Sequence, residues 1–345
     1  MTPDRAPDRP PHPAQSPAPH PTPKAAPYVT SHLTPAPAHA SEAVTAAASG
    51  TWKLGDLEVN RIGFGTMRLP QTGEALIPGA VPRDRGQAVA VLRRAVELGV
   101  NHFDTAAFYF SPLLSANELI NRALAPYADD LVVVTKVGPA RDASGEWTAH
   151  AGPGQLRGQV EENLRQLGRD HLDVVNLRVV GDGPVAERFG ALADLREAGL
   201  IRHLGLSNVR PHQLAEARAI APVVCVQNAH GIGGSPAQAE LLRACGEQGI
   251  AFVPFYSIAG SGRTAGAAGG GERGYTGEED GADAVRTVAR AHGVSAAQIR
   301  LAWTLHQGPH VLAIPGTGDL GHLAQNVAAG AVRLSAADLA ALDAS

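Results

Sequence analysis

The stretch Leu172-Asp173-Val174-Val175-Asn176, a helical pattern over residues 185–198, and then Ile201-Arg202-His203-Leu204-Gly205-Leu206 read together as strand, helix, strand. The two outer runs are short and apolar, and the segment between them carries apolar residues at helical spacing. The same alternation extends in both directions. Strand-like runs fall at residues 62–65, 101–104, 131–136, 223–227, 250–255 and 311–314, and helical patterns at 87–98, 117–124, 154–167, 212–220, 236–248 and 284–291. Repeated strand-then-helix units imply a parallel sheet, and eight of them imply closure into an α/β fold of the (β/α)8 TIM-barrel type. An open doubly wound sheet is the alternative, weakened because no G-x-G-x-x-G turn follows the first run.

Several segments fall outside the repeat. Residues 1–50 are a Pro/Ala-rich tail, with runs such as Pro10-Pro11-His12-Pro13. The tail has too few large apolar side chains to offset its ordering entropy and no continuous apolar stretch of a secretory signal, so disorder is expected there. The barrel is expected over residues 51–345. A hairpin over residues 52–60, turning at Leu54-Gly55-Asp56-Leu57, would close its bottom. Helical patterns at 296–305 and 336–342 are additions to the repeat. The Gly-rich stretch 260–281 follows the seventh run, on the ligand-binding face of a barrel, and is expected to be a lid.

Composition narrows the class. The chain has 345 residues, 44% of them hydrophobic, enough for a large core, and a formal net charge of −4, which implies no nucleic-acid partner. The two cysteines, Cys225 and Cys245, lie in apolar or helical patterns without metal-ligand spacing, which fits a reducing compartment. No apolar run approaches the roughly 18 residues needed to cross a bilayer, so a cytoplasmic location without a membrane partner is expected. Oligomeric state has no readable signal.

Barrel enzymes carry their chemistry at the C-terminal ends of the strands. Here the second strand runs out into Asp104-Thr105-Ala106-Ala107-Phe108-Tyr109 and the third into Thr135-Lys136-Val137-Gly138. The fifth ends in Gly205-Leu206-Ser207-Asn208, the sixth in Gln227-Asn228 and the seventh in Phe255-Tyr256-Ser257. Taken singly, Asp104 could cap a helix and Lys136 could form a structural ion pair. Five polar strand ends on one rim are harder to explain that way. The rim lacks the His/Asp/Glu cluster that a metal would need, so no metal is expected.

Gly99-Val100-Asn101-His102-Phe103-Asp104-Thr105-Ala106 through Tyr109, Val134-Thr135-Lys136, Gly205-Leu206-Ser207-Asn208 and Ile314-Pro315-Gly316-Thr317 with Asn326 together resemble the aldo-keto reductase family. The resemblance spans about Thr51 to Leu342. Within the family the chain is most similar to the bacterial pyridoxal reductase branch, through Leu172-Asp173-Val174-Val175-Asn176-Leu177-Arg178-Val179, Val224-Cys225-Val226-Gln227-Asn228 and Asp84-Arg85. The resemblance implies NADP(H)-dependent reduction of a small aldehyde or ketone, with pyridoxal a candidate. It makes Tyr109 the general acid, Lys136 the cation that stabilises its phenolate, and Asp104 the partner that holds Lys136. An isolated tyrosine, with a pKa of about 10, is otherwise a weak acid at neutral pH. The resemblance further implies that Ser207, Asn208 and Gln227 bind the nicotinamide carboxamide, that Tyr256 stacks on the ring and that Ser257 faces the pyrophosphate. Thr317, Gly318 and His322 would then take the 2′-phosphate, and Gln325 and Asn326 the adenine.

Three positions depart from the family pattern. Arg178 stands where a histidine is usual, five residues after Asp173. It can still donate to a carbonyl, but it is permanently charged and favours substrates with an anionic oxygen nearby. Gly316 and His322 stand where a lysine and an arginine often meet the 2′-phosphate, which leaves less positive charge there. The alternative is a regulatory barrel that binds NADPH as a redox sensor with little turnover.

Overall fold

The computed structural model describes residues 44–258 and 280–345. Thr51–Leu54 (β1) and Leu57–Asn60 (β2) form an antiparallel hairpin with Leu54 opposite Leu57. Phe64–Gly65 (β3) and His102–Asp104 (β4) begin the barrel; Phe110–Ser111 (β5) and Leu114–Ser115 (β6) make a small ribbon in the loop that follows. Val132–Val137 (β7), Leu172–Arg178 (β8), Ile201–Ser207 (β9), Val223–Gln227 (β10) and Ala251–Phe252 (β11) continue it. All are parallel, in the order β11-β10-β9-β8-β7-β4-β3.

Residues 311–313 join the two edges of this sheet. Val311 bridges Phe252 and Ala313 bridges Ile62, both in parallel. Leu312 N donates to the Phe252 carbonyl at 2.9 Å and Gly63 N to the Ala313 carbonyl at 2.8 Å. The sheet is thereby a closed (β/α)8 barrel. The strands expected at 62–65, 250–255 and 311–314 are shorter than anticipated and pair partly through single bridges. Pro254 has no N–H to give a ladder, which cuts the run at 250–255 short. Gly65 and Gly316 face each other at the closing seam so closely that a Cβ on either would overlap the backbone opposite.

The helices are Arg85–Glu97 (α1), Ala116–Leu124 (α2), Pro153–Leu167 (α3), Ala186–Glu197 (α4), Pro211–Arg218 (α5), Pro236–Glu247 (α6), Asp280–His292 (α7), Ala296–His306 (α8), Leu320–Ala328 (α9) and Ala336–Asp343 (α10). Their starts follow capping chemistry. Asp84 accepts from Gln87 N at 2.7 Å ahead of α1, and Ser295 with Gln298 forms a reciprocal box ahead of α8. In the helix C-cap of α3, Gly168 takes the left-handed conformation. Of the two helical additions, α8 precedes the eighth barrel strand and α10 ends the chain.

The two-residue period of the strands sorts side chains between two cores. Val132, Val134, Val174, Cys225 and Leu312 point inward and pack on Leu54 and Val59 of the hairpin. Phe103, Val133, Val175, Leu177 and Val226 point outward to the helices. The same parity carries Lys136 inward above Val134, Arg178 above Val174 and Gln227 above Cys225. The hairpin plugs the opposite end, where Asp56 accepts from Arg202 and meets His203 Nε2, each at 2.6 Å. These contacts hold its carboxyl well below the usual carboxylate range.

The expected tail boundary at Gly50 is corrected by the first described residues. Ala46–Ser49 form a 3-10 turn with Ala46 and Ser49 buried. Ser49 Oγ accepts from Ile62 N at 3.0 Å, Ala46 N donates to the Leu98 carbonyl at 2.8 Å, and Arg333 donates to the Ala48 carbonyl at 2.9 Å. Polar backbone supplies what composition did not show. Residues 1–43 lie outside the described residues. So does the expected lid, apart from Asp280 and Gly281, which open α7.

A chain starting at Thr51 should therefore melt below one starting at Val44. Losing the Ser49 and Ala46 bonds leaves buried partners unsatisfied at a cost of about 2 kcal/mol, or roughly 3 °C in a differential scan of the two truncations. Equal melting temperatures would show that the turn adds nothing.

Two buried histidines set an acid limit. Burial pushes His102 and His230 down to about 4, so both fold neutral. Their contribution is complete above the unfolded value near 6.5 and is lost as pH falls towards 4. The unfolding free energy in urea should drop by roughly 3 kcal/mol for the pair between pH 6.5 and 5, the slope approaching about 1.4 kcal/mol per pH unit for each histidine below pH 6. His230→Leu should halve that slope.

Candidate active site

The inward parity of the strands brings Asp104 and Lys136 to the same level of the barrel mouth. Lys136 Nζ donates to Asp104 Oδ1 at 2.6 Å and to the Thr105 carbonyl at 3.1 Å, and both side chains are buried. The other oxygen of Asp104 accepts from the Gln227 amide. Nζ also lies 5.0 Å from the centre of the Tyr109 ring. Burial works against the Lys136 charge, but the Asp104 carboxylate and then Tyr109 outweigh it and raise its pKa above the ordinary lysine range. Lys136 stays charged.

Burial pushes the Tyr109 phenol up, opposed first by Lys136 and more weakly by Arg178. The net direction is upward, contrary to the simple expectation of a depressed phenol. Water is excluded from Tyr109 more effectively than the cations compensate. A phenol so placed keeps its proton at neutral pH, and the ammonium beside it can take up the charge left when the proton leaves.

The strand ends are tied from outside by a buried amide chain that sequence reading did not anticipate. Thr105 Oγ1 donates to Asn117 Oδ1 at 2.7 Å, and Asn117 Nδ2 donates to Asn163 Oδ1 at 2.9 Å. Thr135 Oγ1 donates to the same Asn163 oxygen at 2.6 Å. All four side chains are fully buried. Two polar residues on the inner faces of α2 and α3 thus hold the exits of β4 and β7 in register. The signal in the sequence was Asn117 and Asn163 on otherwise apolar helix faces.

Arg178 ends β8 and donates to Ser207 Oγ at 3.1 Å, with its guanidinium 5.0 Å from the centre of the Phe255 ring. Among the described residues no carboxylate forms an ion pair with it. Asn208 adopts a left-handed backbone (φ 59°) that turns its amide to the Val179 carbonyl at 3.0 Å. Tyr256 is also left-handed (φ 66°) and 41% exposed, while Ser257 is buried. Phe108 and Trp147 pack beside Tyr109, with Arg141 donating to the Phe108 and Phe110 carbonyls. A cavity of about 430 Å³ opens next to them, bordered by Lys136, Phe108 and Arg141.

Whether this mouth suits a nicotinamide can be tested on its unmatched atoms. Gln227 Oε1 is buried without a partner beside the Asp104 contact. A buried acceptor left open in this way suits an incoming amide N–H, and a half-exposed aromatic ring suits a flat heterocycle. The residues fit. Gln227 thus bonds Asp104 through its amide nitrogen and keeps its oxygen open, a contact the sequence did not suggest.

The remaining expected cofactor residues form a second group at the start of α9. Thr317 Oγ1 accepts from Asp319 N at 3.1 Å, and Asp319 accepts from His322 N at 2.8 Å. The His322 ring stands in solvent, 3.9 Å from the Asp319 carboxylate; Gln325 is exposed and Asn326 buried. Gly318 has an unexpected neighbour: Arg83, from the loop before α1, whose guanidinium occupies the space a Cβ would need. Among the described residues no His/Cys/Asp/Glu cluster could hold a metal ion. No helix among them is long and apolar enough to cross a membrane.

Comparison with known proteins agrees with this arrangement. Residues 61–345 match the Aldo/keto reductase family. Pyridoxine 4-dehydrogenase of Escherichia coli is 41% identical over 302 residues, covering 86% of this chain and 98% of that protein. An uncharacterised oxidoreductase of Schizosaccharomyces pombe is 37% identical, covering 88% and 92%. Among solved structures, an aldo-keto reductase from Klebsiella pneumoniae in complex with NADPH superposes with a TM-score of 0.66 at 28% identity, covering 83% of this chain and 91% of that one. The chain therefore belongs to the aldo-keto reductase family and is an NADP(H)-dependent oxidoreductase of small carbonyl compounds.

Proposed function

We propose that the substrate is an aldehyde carrying an anionic oxygen next to the carbonyl, with pyridoxal the best match, and that its reduction gives the alcohol pyridoxine. The observation that carries this is Arg178. It stands on the rim with one donor on Ser207 and no carboxylate ion pair among the described residues, in electrostatic reach of Tyr109 and Tyr256. Its burial works against its charge, so a cation kept there gains from an anionic neighbour. The phenolic oxygen of pyridoxal lies beside its aldehyde and would supply one. The 41% identity to a pyridoxine 4-dehydrogenase supports the same direction.

In this reading NADPH, when bound, would supply the hydride that reduces the carbonyl carbon. Tyr109 gives its phenolic proton to the carbonyl oxygen. Lys136 stabilises the phenolate that remains, and Asp104 with the Thr105 carbonyl keeps the ammonium pointed at it. Gln227, Ser207 and Asn208 would orient the nicotinamide carboxamide, with Tyr256 on the ring face and Ser257 towards the pyrophosphate. Thr317, Gly318 and His322 would line the 2′-phosphate and Gln325 and Asn326 the adenine. Arg178 positions the substrate by its second oxygen.

Tyr109→Phe should lower kcat by on the order of 10²–10⁴-fold with little change in NADPH affinity, since the hydroxyl acts on substrate oxygen. Single-turnover reduction of 4-nitrobenzaldehyde together with a cofactor titration measures both. Retained turnover would move the acid elsewhere.

Arg178→His should retain much activity on 4-nitrobenzaldehyde and lose roughly 10- to 150-fold in kcat/KM on pyridoxal, the value of a charge-assisted hydrogen bond. The ratio of the two kcat/KM values in wild type and variant decides it. An unchanged ratio would mean that Arg178 does not read a substrate anion.

A further inference from the structure

We propose that Arg83 is the residue that selects NADPH over NADH, by binding the 2′-phosphate from the loop before α1 in place of the basic residues missing at Gly316 and His322. This rests on the reading that the segment from Thr317 to His322 receives that phosphate.

The segment itself is poor in positive charge. Gly316 has no side chain, His322 stands in solvent, and Asp319 adds a carboxylate, partly engaged by the His322 backbone amide. Left to these residues, a phosphomonoester would meet no permanently charged cationic side chain. Arg83 corrects the balance. Its backbone N donates to the Pro70 carbonyl at 3.1 Å, which fixes where the side chain starts. The side chain then crosses to the other end of the chain and lies flat on Gly318, in space that any larger residue would fill. Gln87 Nε2 donates to the Gly318 carbonyl at 2.9 Å, so the two segments are fastened at a second point.

The guanidinium has no carboxylate in ion-pair contact, although the Asp319 carboxylate lies within reach of its charge. One terminal nitrogen donates to the Gln71 carbonyl at 3.1 Å and more distantly to the Arg68 carbonyl at 3.5 Å. Nε is buried with no partner. Among the described residues no carboxylate forms an ion pair with Arg83. An arginine presents five N–H donors in a planar fork suited to phosphate oxygens, and most of these are uncommitted. Gly318 is therefore not merely a residue that would line a phosphate; its missing side chain is what admits the cation. A conventional basic residue on α9 is replaced by one delivered from across the closing seam of the barrel.

The test uses the full-length protein and equilibrium titration with NADPH and with NADH, read by tryptophan quenching, in wild type, Arg83→Met, Arg83→Lys and Thr317→Val. Arg83→Met should weaken NADPH by roughly 10- to 150-fold and NADH by less than about 2-fold, with Arg83→Lys recovering part of the loss. Displacement by 2′-AMP should weaken in parallel in Arg83→Met, while displacement by 5′-AMP should not. Equal losses for both cofactors would overturn the proposal and make Arg83 a loop support. Selective loss of NADPH in Thr317→Val but not in Arg83→Met would leave the phosphate in this segment and remove Arg83 from it. Should neither variant discriminate, the phosphate lies elsewhere and the underlying reading falls with the proposal.

Discussion

A lysine ammonium and an aspartate carboxylate, both almost fully out of solvent, face each other at 2.6 Å in the mouth of the barrel. Burying either alone would cost several kcal/mol, so each is tolerable only while the other is in place and its remaining bonding capacity is met. The Thr105 carbonyl and Gln227 meet it. The geometry this demands is strict, because the partners come from β4 and β7 and their reach is set by strand register. Asp104 pairs with Val134 and Lys136 with Asn176, and a slip of one residue would turn the charges outward into the apolar layer under the helices.

That constraint explains the amide chain behind the site. Thr105 and Thr135 follow Asp104 and precede Lys136, and Asn117 and Asn163 bind both hydroxyls from the helix side. Four fully buried polar groups would be a liability in an apolar layer if any were left open. Their mutual satisfaction makes them a brace. The alternation of the strand puts a charged group on one face and its support on the other, so catalytic mouth and outer core are built by neighbouring residues.

Charge at the rim follows a different logic from charge in the mouth. Asp104 and Lys136 neutralise one another, whereas Arg178 and Arg83 each have hydrogen bonds to neutral groups and no carboxylate in ion-pair contact among the described residues. Arg178 ends β8, whereas Arg83 lies against Gly318 just ahead of α9. Cations held without counter-ions are costly, and they persist where a ligand completes them.

Much of the architecture was legible in the sequence, because local periodicity dictates it. The runs around Val132, Val174 and Ile201 have the length and composition of buried parallel strands, and the amphipathic segments between them have no other way to bury their apolar faces. The strand-end position of Asp104, Lys136, Gln227 and Arg178 follows from counting. What the sequence did not disclose were relations across long separations: that Gln227 bonds Asp104, that Asn117 and Asn163 brace two strands, that Ser49 belongs to the packed barrel, and that Arg83 lies on Gly318. The net rise of the Tyr109 phenol was likewise hidden, since it is the outcome of burial against two cations and not a property of the residue. Period and propensity act over a few residues, so the chain's own order specifies which elements form and which faces they bury. Which polar atoms meet is decided only when the barrel closes and brings residues from different strands and helices within hydrogen-bonding distance.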